Sequence, residues 1–526
     1  MLKTFSNKLT TLLKDKFAWL ALLSGASLTF SYAPFGLWPL TFVALAVACF
    51  VTDQPTTRHA AKYGFLFGFG WFAAGISWVH VSIAQFGGLP LPASLLLMGL
   101  LCAYLAIYPA LAFALATRFS DKPWQRIALL LSGFAVFEYL RGTLLTGFPW
   151  LSFGYSQTDA PLNMLAPWIG EFGLTLVCVL LGALLYYLLW QRRYQLTMIA
   201  LLPVLALILF TRLADNPVHY NGEQTRTLLV QGNIQQSLRW EPEQFWPTMS
   251  KYQDMTRPLW QQADLVVWPE AAIPELEDLA FDFLHNLDKA AAFNQSALIT
   301  GIPDYQFDTR NVYNTLIVVG KQHAEDEQGH YRYLHPNRYQ KHQLLPIGEF
   351  VPFEKWLRPI APLFNLAMSS FSRGEAHQPN LIANGLHILP AICYEIAFSE
   401  LVRNNYSSES DMLFTVSNDA WFGDSHGPHQ HMQIARMRAL ELQRPLIRVT
   451  NNGISGIYDP LSQTQHTLPQ FVEETMLLDV KLMSGNSWYS QHGNTWIWIV
   501  LVLLTTLVML EKGLTRFKYR VERDYL

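Results

Sequence analysis

The uneven distribution of apolar residues is the feature that most constrains how this chain can fold. Charged residues make up only 15% of its 526 residues, well below the quarter found in typical globular proteins. Apolar segments crowd into residues 17–213 and return at 495–510, whereas residues 214–494 have the mixed composition of a soluble domain. The pattern predicts a membrane domain (1–213), a soluble α/β domain (214–494) and a final span with a tail (495–526).

Eight apolar segments are candidates for transmembrane helices, each of which needs about 20 residues to cross a bilayer. The last segment, 495–510, is preceded by Trp488 and Tyr489 and contains Trp496 and Trp498, which form an interfacial aromatic belt. The first two are short for a full span. The seven segments that precede the soluble domain are 17–32, 36–51, 64–82, 91–117, 124–141, 164–190 and 196–213.

Basic residues fall in alternate loops between these segments, which predicts an orientation. Cytoplasmic loops carry the excess of lysine and arginine, and the loops 33–39, 85–92 and 142–161 contain neither. With eight spans, both termini are then cytoplasmic, and residues 214–494 lie in the periplasm beside a bacterial inner membrane. The net charge of −3 gives no electrostatic case for nucleic acid as a partner.

Short continuous apolar runs alternate with helical patterns in the soluble domain. Such runs, with helices between them, are typical of a sheet covered on both faces. Helices are expected at 243–262, 277–294 and 429–442. Strands are expected at 226–231, 264–268, 297–302, 315–319, 386–392, 412–416 and 446–450.

Three residues of this domain have the chemistry of a catalytic site. Glu270 follows a buried strand, where burial raises a carboxyl pKa and suits a general base; an exposed turn acid is the alternative. Cys393 ends an apolar run just before a helix, where a thiolate is favoured, although a buried structural cysteine is equally compatible. Lys341 precedes an apolar loop and would support a thiolate or an oxyanion, unless it is an ordinary solvated lysine. No cysteine and histidine spacing predicts a metal site.

The order Glu270, Lys341, Cys393, each after a strand, resembles the nitrilase (carbon–nitrogen hydrolase) superfamily over about residues 225–482. With seven spans before this domain and one after it, nearly the whole chain resembles the apolipoprotein N-acyltransferase family. Departures from the family pattern at Ile347, Phe350 and Ala420 leave the three catalytic candidates untouched. The other segments that carry the resemblance are 231–234, 417–423, 436–441 and 448–455.

The resemblance implies a polytopic membrane domain joined to an α-β-β-α sandwich, and a ping-pong acyl transfer. Glu270 accepts the thiol proton, Cys393 is the nucleophile and Lys341 stabilises the oxyanion. An acyl chain would move from the sn-1 position of a phospholipid, with phosphatidylethanolamine as the expected donor, to a cysteine thioester. It would then reach the α-amino group of the N-terminal S-diacylglyceryl-cysteine of apolipoproteins, the last step of lipoprotein maturation. No cofactor is implied.

Further residues are expected around the triad. Glu349 is a supporting acid beside Lys341, and Tyr394 and Glu395 shape the nucleophile pocket, with loop packing as the alternative. The apolar segment Trp356–Phe371 is expected to form an interfacial lid. The remaining substrate-binding candidates are two aromatics at an acyl entrance or in the core, Trp240 and Trp421, and a pair near a phospholipid phosphate, Arg141 and Trp150; a simple Glu138–Arg141 ion pair is the alternative for Arg141.

Two rival functions share parts of this pattern. A membrane-tethered amidase of the nitrilase type would use the same triad with water as acceptor, but it needs neither the many spans nor the apolar segment. A transporter or channel would need ionisable residues along a path across the membrane. Apart from Glu138, Arg141 and Glu171, the spans are nearly free of acids and bases, which disfavours transport.

Overall fold

A computed structural model describes residues 14–54, 56–85, 87–346, 348–350 and 371–524. These residues form two compact units. One is helical and falls within Met1–His80, Leu91–Asp215 and His492–Leu526, and the other comprises Val81–Pro90 and Asn216–Gln491. Residues 81–90 thus group with the second unit, and the domain limits expected from the sequence stay a prediction.

The helical unit contains the segments predicted to cross the membrane. Five helices among the described residues are long and apolar enough to do so, and a sixth span results if Thr57–Gly75 and Val79–Gln85, bent by 55°, are counted together. Lys16–Ser27 has 12 residues and Pro39–Thr52 has 14, so the expected count of eight spans stays a prediction. The other long helices are Leu91–Phe119, Pro123–Thr143, Ala166–Leu189, Tyr194–Leu213 and Thr495–Asp524.

Two six-stranded sheets form the second unit. The strands are β1 His219–Gln231, β2 Leu265–Val267, β3 Ala297–Gln306, β4 Asn311–Gly320, β5 Arg338–Gln340, β6 Leu381–Ala383, β7 Leu386–Ile392, β8 Met412–Ser417, β9 Leu446–Thr450, β10 Gly456–Asp459, β11 Thr464–Thr467 and β12 Glu474–Ser484. Their orders in the two sheets are β12-β1-β2-β3-β4-β5 and β11-β10-β9-β8-β7-β6. In the first sheet β1, β2 and β3 run parallel, and in the second β7, β8 and β9 run parallel.

Successive side chains of a strand point to opposite faces of the sheet, so β2 contributes to two separate hydrophobic cores. Val267 of β2 packs into a layer between the sheets together with Ile392 of β7 and Val416 of β8. Its neighbour Val266 points the other way, into a core shared with helical residues such as Leu284, as the two-residue period of a strand requires. The expected α-β-β-α sandwich is therefore confirmed. Helices of this unit are Pro242–Thr256, Phe281–Phe293, Ser399–Asn405, Gly427–Leu442 and Trp488–His492.

The three catalytic candidates follow strands of both sheets. Lys341 comes directly after β5 and Cys393 directly after β7, while Glu270 lies three residues beyond β2. The site is therefore assembled across the sandwich, from two residues of the first sheet and one of the second.

Candidate active site

A strained turn presents the nucleophile candidate. Cys393 has a φ of +55°, a left-handed conformation that costs a non-glycine residue about 1–3 kcal/mol and persists where surrounding contacts enforce it. It is the first residue of a 3-10 turn, Cys393–Ala397, and its side chain keeps partial exposure. The chain thus bends sharply at the sulfur instead of burying it in the strand.

Glu395 joins this turn to the lysine loop. Its fully buried carboxylate accepts hydrogen bonds from the Ile392 amide at 2.8 Å and from the Tyr339 hydroxyl at 3.0 Å. It also accepts from the amides of His342 at 2.7 Å and Gln343 at 3.0 Å. Burial raises the pKa of this carboxyl, against the opposing effect of these donors. One acid therefore holds the chain beside the nucleophile and the chain beside Lys341 in a fixed relation.

Lys341 is buried between two acids. Its Nζ lies 2.8 Å from Glu349 Oε1 and 3.5 Å from Glu270 Oε1. The Asn314 side-chain amide donates to both acids, at 2.7 Å to Glu270 and 3.1 Å to Glu349. The Asn418 amide donates to the other Glu270 oxygen at 2.9 Å. Glu270 is thus oriented at both oxygens, and Glu349 makes the shorter of the two contacts with the Lys341 ammonium.

The electrostatics differ from the sequence-based expectation for Glu270. Burial does act to raise the pKa of its carboxyl, but Lys341 and Arg239, with the donors already described, outweigh burial and lower that pKa below its ordinary value. Burial works to lower the pKa of Lys341, yet Glu349 and Glu270 raise it. The resting site therefore holds an ionised acid and an ionised lysine.

Cys393 is protonated in this resting site. Desolvation and then Glu270 raise the pKa of its thiol to about 12, against the opposing effects of Lys341 and Ser417. Because Lys341 is paired with two carboxylates, they largely offset the effect of its positive charge on the Cys393 thiolate. A free thiolate, expected from the position of the cysteine before a helix, is therefore not the resting species.

The aromatic candidates of this unit occupy different environments. Tyr394 is buried and packs edge-on against Phe398, with 5.0 Å between ring centroids. Trp240 is 49% exposed and follows Arg239, whose buried guanidinium donates to the Glu270 carbonyl. Trp421 is partly buried, and the Ser82 hydroxyl donates to its carbonyl at 2.6 Å. Trp240 is therefore the most exposed of these three residues. The segment predicted to form a lid, Trp356–Phe371, lies outside the described residues except for Phe371.

Arg141 and Trp150 belong to the helical unit and are both buried. The Arg141 guanidinium donates to both carboxylate oxygens of Glu138, to the carbonyls of Phe148 and Trp150 and to the Ser152 hydroxyl. These contacts use all five N–H groups of an arginine. The structure thus has the Glu138–Arg141 pair, and no donor of Arg141 remains for a phosphate.

Several residues that shape the site were not among the candidates from sequence. Asn314 and Arg239 both contact Glu270, and the Ser417 hydroxyl lies 3.2 Å from the Cys393 sulfur. Asn314 sits inside an apolar strand, β4, where a lone amide in a buried run was a usable signal. Arg239 lies in a loop whose path the sequence does not reveal.

The second unit matches a known protein family. Residues 228–489 match the carbon-nitrogen hydrolase family, which is the class that the two-sheet sandwich defines. The chain is also similar to Saccharomyces cerevisiae Nit3, a member of branch 10 of the nitrilase superfamily, at 18% identity and a TM-score of 0.36, over 51% of this chain and 93% of that one.

The helical unit narrows the assignment. Residues 24–184 match the apolipoprotein N-acyltransferase N-terminal domain. An apolipoprotein N-acyltransferase of Shewanella oneidensis is 46% identical over 90% of this chain and 92% of its own, and one of Vibrio parahaemolyticus is 46% identical over 91% and 94%. The chain belongs to the apolipoprotein N-acyltransferase family.

Proposed function

We propose that Glu270, Lys341 and Cys393 carry out the N-acylation of lipoproteins that membership of this family assigns to the chain, through a cysteine thioester. The observation that carries the proposal is the buried Glu270–Lys341 ion pair, 3.5 Å between charged atoms, whose two members act in opposite directions on the pKa of the Cys393 thiol. A base, a cation and a thiol in mutual electrostatic contact are the parts that covalent acyl transfer needs.

The first half-reaction transfers the acyl group to the sulfur. Glu270 takes the thiol proton as Cys393 attacks the ester carbonyl of a phospholipid, and Lys341 stabilises the oxyanion. The carbon–oxygen bond then breaks, a carbon–sulfur bond remains, and the proton held by Glu270 passes to the departing lysophospholipid oxygen. Because the pKa of Glu270 is low and that of the thiol is high, proton transfer is unfavourable before attack, so we expect thiolate to form only as the new bond forms.

The second half-reaction uses an amine. The α-amino group of a diacylglyceryl-cysteine attacks the thioester, a carbon–nitrogen bond forms and the carbon–sulfur bond breaks. Glu270 accepts a proton from the nitrogen and returns it to the sulfur. The acceptor arrives as an ammonium and releases one proton to the surrounding water before it attacks. Ionised Glu270 is then free to accept the second proton from the nitrogen of the tetrahedral intermediate.

The donor and the cellular setting complete the proposal. Phosphatidylethanolamine, acylated at sn-1, is the proposed donor. The alternating distribution of lysine and arginine between the apolar segments supports a catalytic unit in the periplasm, with both termini in the cytoplasm of a cell with an inner membrane. Glu349 is proposed to support Lys341, and the exposed ring of Trp240 to contact an acyl chain.

Intact-mass analysis of the purified chain tests the proposal directly. Incubation with phosphatidylethanolamine and no acceptor should add one fatty-acyl mass that hydroxylamine removes. Cys393→Ser should give no thioester, whereas Cys178→Ser, which changes a buried cysteine in an apolar helix, should behave as wild type. Addition of a diacylglyceryl lipopeptide should move the acyl mass to the peptide amine.

Two results would count against this assignment. A wild-type protein that turns over phospholipid without any hydroxylamine-sensitive adduct would exclude the thioester. Release of free fatty acid, or of ammonia from small amides, with no acylated peptide would favour the amidase alternative.

A further inference from the structure

The Ser417 hydroxyl lies between the nucleophile and a buried acid. Ser417 is the last residue of β8, which pairs in parallel with β7, the strand that leads to Cys393. Its Oγ is 3.2 Å from the Cys393 sulfur and 2.7 Å from Asp419 Oδ1. A hydroxyl has a single proton, so Ser417 donates to one of these two acceptors at a time.

Asp419 is ionised and fixed in place. An Nη2 proton of the fully buried Arg448 donates to Asp419 Oδ2 at 2.7 Å. Burial works to raise the pKa of this carboxyl, but Arg448, His431 and the Ser417 hydrogen bond together outweigh burial and hold that pKa well below its usual range. While Cys393 is a neutral thiol, the carboxylate is the stronger acceptor, and the Ser417 proton therefore points at Asp419.

His431 connects the same group to the backbone of the nucleophile. Its Nε2 is 3.0 Å from the Cys393 carbonyl oxygen, and since a carbonyl only accepts, Nε2 carries a proton. Burial and Arg448 lower the pKa of this imidazole, and its Nδ1 lies 3.1 Å from Asp419 Oδ1 and 3.0 Å from Arg448 Nη2. The contact fixes the carbonyl of a residue whose φ is left-handed, so the sulfur and Ser417 are positioned by one buried network.

We propose that Ser417 is a catalytic residue that redirects its proton from Asp419 to the Cys393 sulfur whenever a thiolate is present. The serine turns to Asp419 while Cys393 is a thiol or a thioester, and it turns to the sulfur when negative charge develops there. Arg448 keeps Asp419 compensated while the serine is turned away. No covalent bond changes in this exchange, since only the direction of one hydrogen bond alters.

This role rests on the proposed function, in which thiolate character arises twice. It develops during attack on the phospholipid ester, and it develops again when the sulfur leaves the second tetrahedral intermediate. Lys341 alone serves the sulfur poorly, because Glu349 and Glu270 already hold its charge at 2.8 and 3.5 Å. Ser417 supplies a neutral donor 3.2 Å from the sulfur.

Alkylation of the purified full-length chain by iodoacetamide, followed by intact mass between pH 7 and pH 9.5, tests the proposal. Loss of a hydrogen bond to a charged group makes the thiolate about tenfold to a hundredfold scarcer at a given pH. The remaining thiolate is more nucleophilic, which offsets about half of that loss on a logarithmic scale. Ser417→Ala should therefore slow alkylation of Cys393 by about 3- to 10-fold at every pH.

Matched variants separate the hydroxyl from its surroundings. Thr415→Val removes a buried hydroxyl from the same strand that has no partner among the described residues, and it should leave alkylation at the wild-type rate. Ser417→Thr keeps the hydroxyl and should restore most of the rate. Only variants whose thermal unfolding temperature matches that of the wild type are compared, so that loss of folding is not mistaken for loss of the hydroxyl.

The result that would overturn the proposal is a Ser417→Ala variant that is folded and alkylated as fast as Thr415→Val. Because alkylation reads the sulfur without any lipid, this test stands even if acyl transfer is not observed. If the proposed function also holds, Ser417→Ala should slow both thioester formation and its aminolysis, whereas a purely structural role would lower the unfolding temperature and leave the pH profile of alkylation unmoved.

Discussion

Gly301 offers a way to move Glu270 without altering any catalytic side chain. Gly301 lies in β3, and a Cβ added there would stand 2.3 Å from the Ala271 nitrogen and 2.9 Å from the Glu270 Cα. Real Cβ contacts are essentially never shorter than 3.0 Å. Both neighbours are backbone atoms, so no side-chain rotation relieves the contact, and Gly301→Ala must displace the segment by at least 3.0 − 2.3 = 0.7 Å.

The expected cost follows from the contacts of the Glu270 carboxylate. Its hydrogen bonds from Asn314 and from the Asn418 amide are 2.7 and 2.9 Å long, and a shift of this size takes both beyond the usual range. A misplacement of about 1 Å at a reacting group costs roughly a hundredfold in rate. We therefore expect Gly301→Ala to slow thioester formation by about 30- to 100-fold.

Time-resolved intact mass after phospholipid addition measures this rate, with thermal unfolding as the check that the variant is folded. Gly99→Ala is the matched control, because a Cβ at Gly99 has no heavy atom within 4 Å, and it should form thioester at the wild-type rate. A folded Gly301→Ala protein that forms thioester within about threefold of wild type would refute the claim that the position of Glu270 limits the reaction.

Three further experiments test the hydrogen bonds of Glu395 and the lowered pKa values of Glu270 and Asp419. Glu395→Gln replaces one acceptor oxygen by an NH2 group, which must then face the N–H or O–H groups that donate to Glu395. We therefore expect a loss of about 3 kcal/mol or more in the free energy of unfolding, together with slower thioester formation. Glu400→Gln changes a partly exposed ion pair with Arg403 and should leave both quantities near wild type. Because the pKa of Glu270 is lowered, the rate of thioester formation should stay constant from pH 7 down to about pH 5, below which glutamates ordinarily begin to protonate. A rate that falls with a midpoint above pH 6 would contradict the lowered pKa and support the raised pKa that the sequence predicts. The lowered pKa of Asp419 contributes stability that is present above the unfolded value of about 3.9 and is lost as pH falls through the folded pKa, so Asp419→Asn should lower the unfolding temperature at pH 7 and the gap should narrow below about pH 4; a gap that is unchanged by pH would contradict the ion pair with Arg448.

Strands with continuous apolar runs could be predicted from the sequence, and several of the shortest strands could not. The run at 446–450 coincides with β9, and 412–416 lies within β8. By contrast β6, β10 and β11 have three or four residues each. So short a segment contains at most two periods of a strand, and β11 is exposed along its whole length, so neither periodicity nor burial marks it.

The triad could be predicted because each member follows an apolar strand, but its electrostatics could not. The position of Glu270 after a buried strand indicated burial, and burial alone raises a carboxyl pKa. The reversal comes from Lys341 and Arg239, which are 71 and 31 residues away in sequence and meet Glu270 only through the fold. Ser417 was likewise visible only as part of a motif, since its role depends on the acid and the sulfur that it lies between.

Because the base and the nucleophile arise from different sheets, neither half of the sandwich is a catalyst alone. A chain divided in the loop 375–380 would leave Glu270 and Lys341 on one fragment and Cys393 on the other. The first fragment would keep the five strands β1–β5 and the second the seven strands β6–β12, so β1 would lose its partner β12. Thioester formation by two co-expressed fragments would then show that they had reassembled, so the reaction itself could serve as a complementation assay.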